Sequence, residues 1–405
     1  DQRNRFVAAK HTNARQLQPH LTLKYEEQTL AAYTADMVPG PFPVTQPVDR
    51  EAGIKRYREL LSPEEYKQRL ANGETADLVP KPTPVKGLPP AFPVTVSRRV
   101  DLTDKIVKYE LSSLDGGPLP AFDAGAHISV VVTPEIQRQY SLAGDPTDQT
   151  KYVLGIQLED EGQGGSKLIH QLFQEGRTIF ITPPANHFPL DENADFSLLM
   201  AGGIGITPMI AMAHRLHALG KEFIMHFSAK STEQSGFAHE LKTQPWVDRV
   251  FFHFSQEGKR ADIEELVPNY RPGFKLYTCG GVRYMDGVFS AAQNKGWPED
   301  ALSREYFSVP ELPVYEDHPF TLELVSSKRT IEVSAEKTAA EALVEAGIHV
   351  DTMCCDGICG VCAVNHLGSE IEHRDFVLSN QEREQKVILC CSRAKEANGL
   401  LRINL

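Results

Sequence analysis

Cys354-Cys355-Asp356-Gly357-Ile358-Cys359-Gly360-Val361-Cys362 decides how this 405-residue chain is read. From Cys354 the spacing is C-x4-C-x2-C, and a further pair, Cys390 and Cys391, follows at a distance. One loop giving three thiolates and a remote segment giving the fourth is the plant-type pattern for a [2Fe–2S] cluster. Gly357 and Gly360 suit such a loop, because the backbone must wrap closely and turn its amides toward inorganic sulfide. Spacing alone leaves the fourth ligand open between Cys390 and Cys391. Two plainer readings fit less well. A disulfide framework belongs to short secreted chains, and no signal peptide is visible. Zinc takes paired C-x2-C units, and Cys359/Cys362 is a single unit. Two of the six cysteines are surplus to a four-ligand site and read as packing residues.

Working outward, the length leaves room for about three domains. No run of ~20 apolar residues is present, so no membrane span is expected. The net charge of −12 argues against nucleic acid as a partner. That charge is uneven: residues 1–90 carry +2 and the remainder −14. An acidic face accelerates encounter with a redox partner, and a solvated surface that keeps the protein soluble explains the same charge. A cluster-bearing chain without a signal is expected in a reducing, cytoplasmic compartment. The chain begins at Asp1, which points to a processed or excised piece of something longer.

Four parts are expected. Residues 1–92 form an N-terminal arm or linker: eleven of the 27 prolines fall between Pro39 and Pro93, and proline-dense stretches favour extended backbone. Within it, Asp49 to Gly73 reads as two short helices, with Ser62-Pro63-Glu64-Glu65 as a helix start and Gly73 as a stop. Residues 93–196 alternate strands (near Val94–Val100, Lys105–Leu111, His127–Val132 and Tyr152–Leu158) with Gly/Pro/Asp turns, which predicts a small antiparallel β-barrel. Residues 197–310 change to βα units and predict an α/β domain with a parallel sheet. Its strands fall at Ser197–Ala201, Phe223–Ser228, Val250–Phe254 and Lys275–Cys279, with a helix from Thr207 to Leu219. After a proline-bounded linker, residues 318–405 hold two strands, an Ala-rich helix over Ala335–Ala346, the cysteine loop and a closing strand.

Two further motifs point to ligands. Ala201-Gly202-Gly203-Ile204-Gly205-Ile206-Thr207-Pro208 joins a strand to a helix, so its glycines let backbone approach a pyrophosphate while the helix start offers free amides. Pro208 stands where a Rossmann fingerprint has its third glycine, and a tight βα turn without a ligand is the plain alternative. Arg138-Gln139-Tyr140-Ser141-Leu142 places a cation, a ring and a hydroxyl on one strand. Gly164-Gly165-Ser166 then opens a helical run over Lys167–Phe173 as a second anion site. Together they suggest a flavin held by its ring and its phosphate.

Taken with Tyr277-Thr278-Cys279-Gly280, Glu305-x-Phe307 and the cysteine set, the chain from about residue 92 onward resembles the phthalate dioxygenase reductase family, within the wider ferredoxin–NADP reductase superfamily. The resemblance implies a multi-domain enzyme: a flavin β-barrel, a nucleotide domain and a β-grasp-like ferredoxin domain. It also implies FMN, NADH and a [2Fe–2S] cluster as cofactors. Arg138, Tyr140, Ser141, Leu142, Gly164, Gly165 and Ser166 would hold FMN. Gly203, Gly205, Thr207 and Gly280 would hold the pyridine nucleotide. Thr207, Cys279, Glu305 and Phe307 would border the reacting rings. The ligands would be Cys354, Cys359, Cys362 and Cys390, leaving Cys355 and Cys391 as bystanders. Gly281 departs from the family, which has proline there, and residues 1–92 have no counterpart in it.

The function this implies is an NADH-dependent reductase passing electrons through FMN and the cluster to a terminal oxygenase, as a monomer when isolated. A flavin between nicotinamide and cluster turns a two-electron donor into a supply of single electrons. NADH rests on the resemblance; Lys230 after the second nucleotide strand is within reach of a 2′-phosphate, but a solvated surface lysine is the better reading. The histidines show no metal-ligand spacing and read as ordinary polar residues. Two alternatives stand beside this reading. One is the reductase portion of a self-sufficient fusion with a haem monooxygenase or corrinoid dehalogenase domain, which the proline-rich arm favours. The other is a non-enzymatic electron-transfer or redox-sensing subunit.

Overall fold

A computed structural model describes residues 91–133, 136–160, 164–308, 315–352 and 355–405. The helices expected in the N-terminal arm, and Cys354 itself, lie outside the described residues.

The flavin-side domain is a six-stranded antiparallel sheet. Its strands are β1 (Phe92–Asp101), β2 (Ile106–Ser113), β3 (His127–Thr133), β4 (Ile136–Ser141), β5 (Tyr152–Gln157) and β6 (Thr178–Ile181), in the order β4-β3-β6-β1-β2-β5. Alternate residues point inward, as a half-solvated sheet requires: Val94 and Val96, Tyr109 and Leu111, and Tyr152, Leu154 and Ile156 are all fully buried. Helix α1 (Gly165–Leu172) follows β5 and buries Leu168, Ile169 and Leu172.

The nucleotide-side domain is a five-stranded parallel sheet, β11-β10-β7-β8-β9. It comprises β7 (Phe196–Gly202), β8 (Glu222–Ala229), β9 (Val250–Phe254), β10 (Phe274–Cys279) and β11 (Leu302–Glu305). Period-2 alternation divides its core. Leu199, Ala201, Met225, Phe227, Tyr277 and Cys279 face helix α2 (Ile206–Ala218), whereas Leu198, Met200 and Leu276 face helix α3 (Val282–Asn294). The first of these faces belongs to the same apolar cluster as the antiparallel sheet, so the two domains share one core. Each large side chain buried there contributes roughly 1.5–3 kcal/mol, so separating the two domains would be costly.

The third unit has its own core around Phe320, Leu322, Leu343, Leu389 and Leu401. Its three-stranded sheet runs β13-β12-β18, with β12 (Phe320–Leu324) antiparallel to β13 (Arg329–Val333) and parallel to β18 (Leu400–Ile403). Short strands β14 (Ala363–Asn365), β15 (Ile371–Glu372), β16 (Lys386–Ile388) and β17 (Arg393–Ala394) pair as β14-β16 and β15-β17. Helix α4 (Ala339–Glu345) starts later than its alanine content suggests. Thr338 and Glu341 form a capping box that fixes its first turn. Arg393, 2% exposed, ties this unit to the segment ahead of it. Its guanidinium donates to the carbonyls of His318 (2.7 Å), Ser334 (2.9 Å) and Lys337 (2.9 Å) and lies over the Phe320 ring.

Candidate functional site

The parallel sheet presents the carboxyl ends of β7, β10 and β11 to the antiparallel sheet, the position where open α/β sheets bind ligands. Cys279 and Glu305 are paired residues at the ends of β10 and β11. Ser141, the last residue of β4, donates from its Oγ to Glu305 Oε2 at 3.2 Å. Three expected site residues from three strands therefore meet. Burial raises the Glu305 carboxyl from 4.5 to about 8, with the Ser141 hydrogen bond working weakly the other way. Burial, with Glu305 beside it, pushes the Cys279 thiol well up, so it stays protonated. Phe307, two residues beyond Glu305, is 41% exposed, an uncovered ring beside this junction.

The glycine turn is built against the same junction. A Cβ on Gly205 would lie 2.3 Å from the Cys279 carbonyl oxygen and 2.6 Å from the Gly280 nitrogen, so only glycine lets the start of α2 seat on the end of β10. Gly280 in turn packs on Gly202 backbone. Gly203 has φ +57 and open space where its Cβ would be, leaving its backbone accessible to a ligand. A single 3-10 turn over Gly203–Gly205 leads into helix α2, and no side chain caps that start among the described residues. Thr207 is buried, donates to the Ile204 carbonyl at 3.0 Å and sets its methyl against Gly155 of β5. These are the features of a diphosphate cradle that reaches toward the flavin side.

The second anion site takes shape from β4 and α1. Gly164, φ +85, precedes the helix, and no side chain caps that start among the described residues. A Cβ on Gly165 would stand 2.8 Å from Arg138 Nε, so the guanidinium lies across the helix start. Burial lowers the Arg138 pKa, with Asp356 of the cysteine loop acting against that. Tyr140 is largely buried, and its hydroxyl is held well above the ordinary tyrosine range by desolvation. Ser166 Oγ accepts the Glu159 amide at 3.0 Å, which leaves its own proton to donate, and Leu142 is fully buried. These residues could hold a flavin: a cation and backbone amides for a phosphate, then a ring and a hydroxyl farther along the strand.

In the cysteine loop, Cys359, Cys362 and Cys390 are each at most 3% exposed. The Leu389 amide donates to the Cys362 carbonyl at 3.3 Å, which brings the distant segment alongside the loop. Gly357 and Gly360 take φ +74 and +69, and a Cβ on Gly357 would meet Cys391 Sγ at 2.8 Å. Cys391 thus packs on the loop from behind, and Cys355 takes a left-handed turn conformation at φ +57. Among the described residues no three His, Cys, Asp or Glu converge as single-ion ligands. A two-iron cluster does not ask for that, since its four thiolates divide between two irons.

Sequence reading missed β6, β11 and the burial of several histidines. His127 is 6% exposed and stacks with His187, and His226 lies 3.0 Å from His253. No periodicity signals a pair of this kind.

The family described as a 2Fe-2S iron-sulfur cluster binding domain matches residues 322–395. The reductase subunit of the tert-butanol monooxygenase / tert-amyl alcohol desaturase of Aquincola tertiaricarbonis is 38% identical over 306 residues, 72% of this chain and 90% of that protein. An intact type IV self-sufficient cytochrome P450 monooxygenase superposes with a TM-score of 0.73 at 34% identity, over 83% of this chain. The present chain spans 44% of that structure, under half its length. Phthalate dioxygenase reductase superposes with a TM-score of 0.57 at 32% identity, over 78% of this chain and 98% of that one. With a ferredoxin unit behind a joined flavin-side and nucleotide-side pair, the chain belongs to the phthalate dioxygenase reductase-like family, NAD(P)H-dependent flavin/[2Fe–2S] oxidoreductases that serve as reductase components of oxygenase systems.

Proposed function

We propose that this chain oxidises NADH with FMN as its flavin and delivers single electrons from the cluster to a separate terminal oxygenase. The observation that carries the reading is the meeting of Ser141, Cys279 and Glu305 where the two sheets join, with a glycine-opened helix start on either side. A flavin there supplies the change from two-electron to one-electron chemistry. The residues supply position. Arg138 and the start of α1 are suited to the flavin phosphate, Tyr140 and Ser141 to its ring, and Gly203, Gly205 and Gly280 to the nucleotide. Thr207, Glu305 and Phe307 border the place where the two rings would stack. Cys354, Cys359, Cys362 and Cys390 are the proposed ligands. The modules are taken as 93–196 (a β-barrel), 197–310 and 318–405 (β-grasp-like), with residues 1–92 as an arm.

Among the described residues no helix is long and apolar enough to cross a membrane. A monomeric cytoplasmic protein is the form proposed. Extracting the flavin and identifying it by chromatography decides FMN against FAD. Anaerobic titration with NADH and NADPH, followed by cytochrome c reduction, tests the rest; failure of NADH to bleach the flavin would reject the reading.

A second reading is favoured by one observation. The superposition on the self-sufficient P450 covers more of this chain, with a higher TM-score, than that on phthalate dioxygenase reductase. Under it, these residues are the reductase portion of a fusion and the acceptor is a haem domain on the same polypeptide. Mapping the natural start codon separates the two. A start far upstream establishes the fusion, and a start close to Asp1 rejects it.

A further inference from the structure

The flavin-side sheet and the cysteine loop meet at a histidine. His187 follows the end of β6, two residues beyond Ala185, and Ala185 exchanges backbone hydrogen bonds of 2.8 and 2.9 Å with His127. The His187 ring stacks on His127, with centroids 5.5 Å apart and planes tilted by 33°. Behind it, His127 Nε2 lies 3.1 Å from Gln139 Nε2. An amide nitrogen only donates, so His127 Nε2 accepts and the neutral ring carries its proton on Nδ1. Burial, reinforced by His187, lowers the His127 pKa to about 4, in keeping with that tautomer. Gln139 sits on β4 between Arg138 and Tyr140.

On its other side His187 touches the loop. A Cβ on Gly360 would stand 3.0 Å from His187 Nε2 and 3.1 Å from Cε1, so the imidazole rests directly on glycine backbone. Gly360 lies between Cys359 and Cys362, and Cys359 is buried yet stands outside the apolar core of the ferredoxin unit. The charged groups that face His187 from that unit are Glu382 and Lys386, which hold each other at 3.0 Å.

We propose that His187 is the positioning residue that seats the cysteine loop on the flavin strand, braced from behind by His127 and Gln139 and resting on the bare backbone of Gly360. The proposal rests on the functional reading above for the place of the flavin. Two stacked neutral rings make a stiffer spacer than a flexible side chain, and they connect β4 to the segment between two cluster ligands. The separation that electrons must cross is thereby fixed by side-chain packing.

The test uses the full chain with its cofactors, in anaerobic stopped flow with NADH. In His187→Ala the flavin bleaches at an essentially unchanged rate, while reduction of the cluster slows several-fold, because tunnelling weakens steeply as the loop moves off the flavin strand. His187→Phe, which keeps the ring as a spacer, restores most of the rate. Gly360→Ala slows cluster reduction in the wild-type background and slows it less when combined with His187→Ala. A second measurement needs no turnover: in the oxidised protein, His187→Ala speeds amide hydrogen exchange over 357–363 and leaves 320–333 unchanged. Unaltered cluster reduction and unaltered exchange in His187→Ala would overturn the proposal, as would equal slowing of flavin and cluster reduction. If NADH fails to bleach the wild-type flavin, the functional reading falls instead, and the exchange measurement still decides whether His187 seats the loop.

Discussion

Ser141 Oγ donates to Glu305 Oε2 at 3.2 Å, and this hydrogen bond joins the last residue of β4 to the last residue of β11. A carboxylate so placed reports on the junction of the two sheets. Burial raises it to about 8, so between pH 4.5 and 8 the folded, cofactor-free protein holds a proton that the unfolded chain releases. Stability therefore falls as pH rises through that window, because the folded state binds the extra proton. Glu305→Gln abolishes the dependence and is the more stable protein above pH 8, by roughly 1–3 kcal/mol after discounting for the partial exposure of Glu305. Urea unfolding of both proteins at several pH values and constant ionic strength checks this, and parallel curves would contradict it.

Gly281 has φ −62 and ψ 145 at the start of α3, and a Cβ there would meet nothing within 4 Å. Proline fits that geometry and removes freedom from the unfolded chain. Gly281→Pro is expected to stabilise by about 0.4–1 kcal/mol. A stiffer turn beside Gly280 also lowers the KM for NADH while kcat is held. Calorimetry and steady-state kinetics read the two effects separately.

At Gly205 the opposite holds. Alanine would place Cβ 2.3 Å from the Cys279 carbonyl, forcing the start of α2 off the end of β10. A loss of about 1–3 kcal/mol is expected, together with loss of flavin reduction by NADH. An active, fully stable Gly205→Ala protein would show that the helix start and β10 do not need this contact.

Replacing Arg138 by alanine takes the guanidinium from the start of α1. A charge-assisted hydrogen bond is worth about 1.5–3 kcal/mol, so flavin affinity falls roughly ten- to a hundredfold. Fluorescence titration of the apoprotein with FMN measures it.

Cys355→Ser and Cys391→Ser keep the visible spectrum of the cluster, whereas Cys359→Ser or Cys390→Ser abolishes it and leaves NADH-dependent flavin bleaching in place. Retention of the spectrum in Cys390→Ser, with loss in Cys391→Ser, would move the fourth ligand by one residue.

Local pattern made most of the scaffold legible. The strand expected at Val250–Phe254 is β9, legible from its run of aromatic and β-branched residues, and the helix from Thr207 corresponds to Ile206–Ala218, whose ends Gly205 and Gly220 mark. β6 and β11 were missed, being four residues each and too short to show alternation. The motif residues stood out because each turn or loop carries its glycines locally. The Ser141–Glu305 bond spans 164 positions, and Gly360 and His187 are also far apart in the chain, so only the tertiary fold discloses them.

Arg393 grips three carbonyls, those of Ser334 and Lys337 beyond β13 and that of His318 just ahead of β12. Arg374 repeats the grip, bonding Asp317 at 2.6 Å and stacking on Tyr315. The ferredoxin unit thus carries its own fastener as well as its own core, which makes it a transferable cartridge. A graft cut ahead of Tyr315 brings the clasp along with the cluster, and one cut at Phe320 leaves it behind.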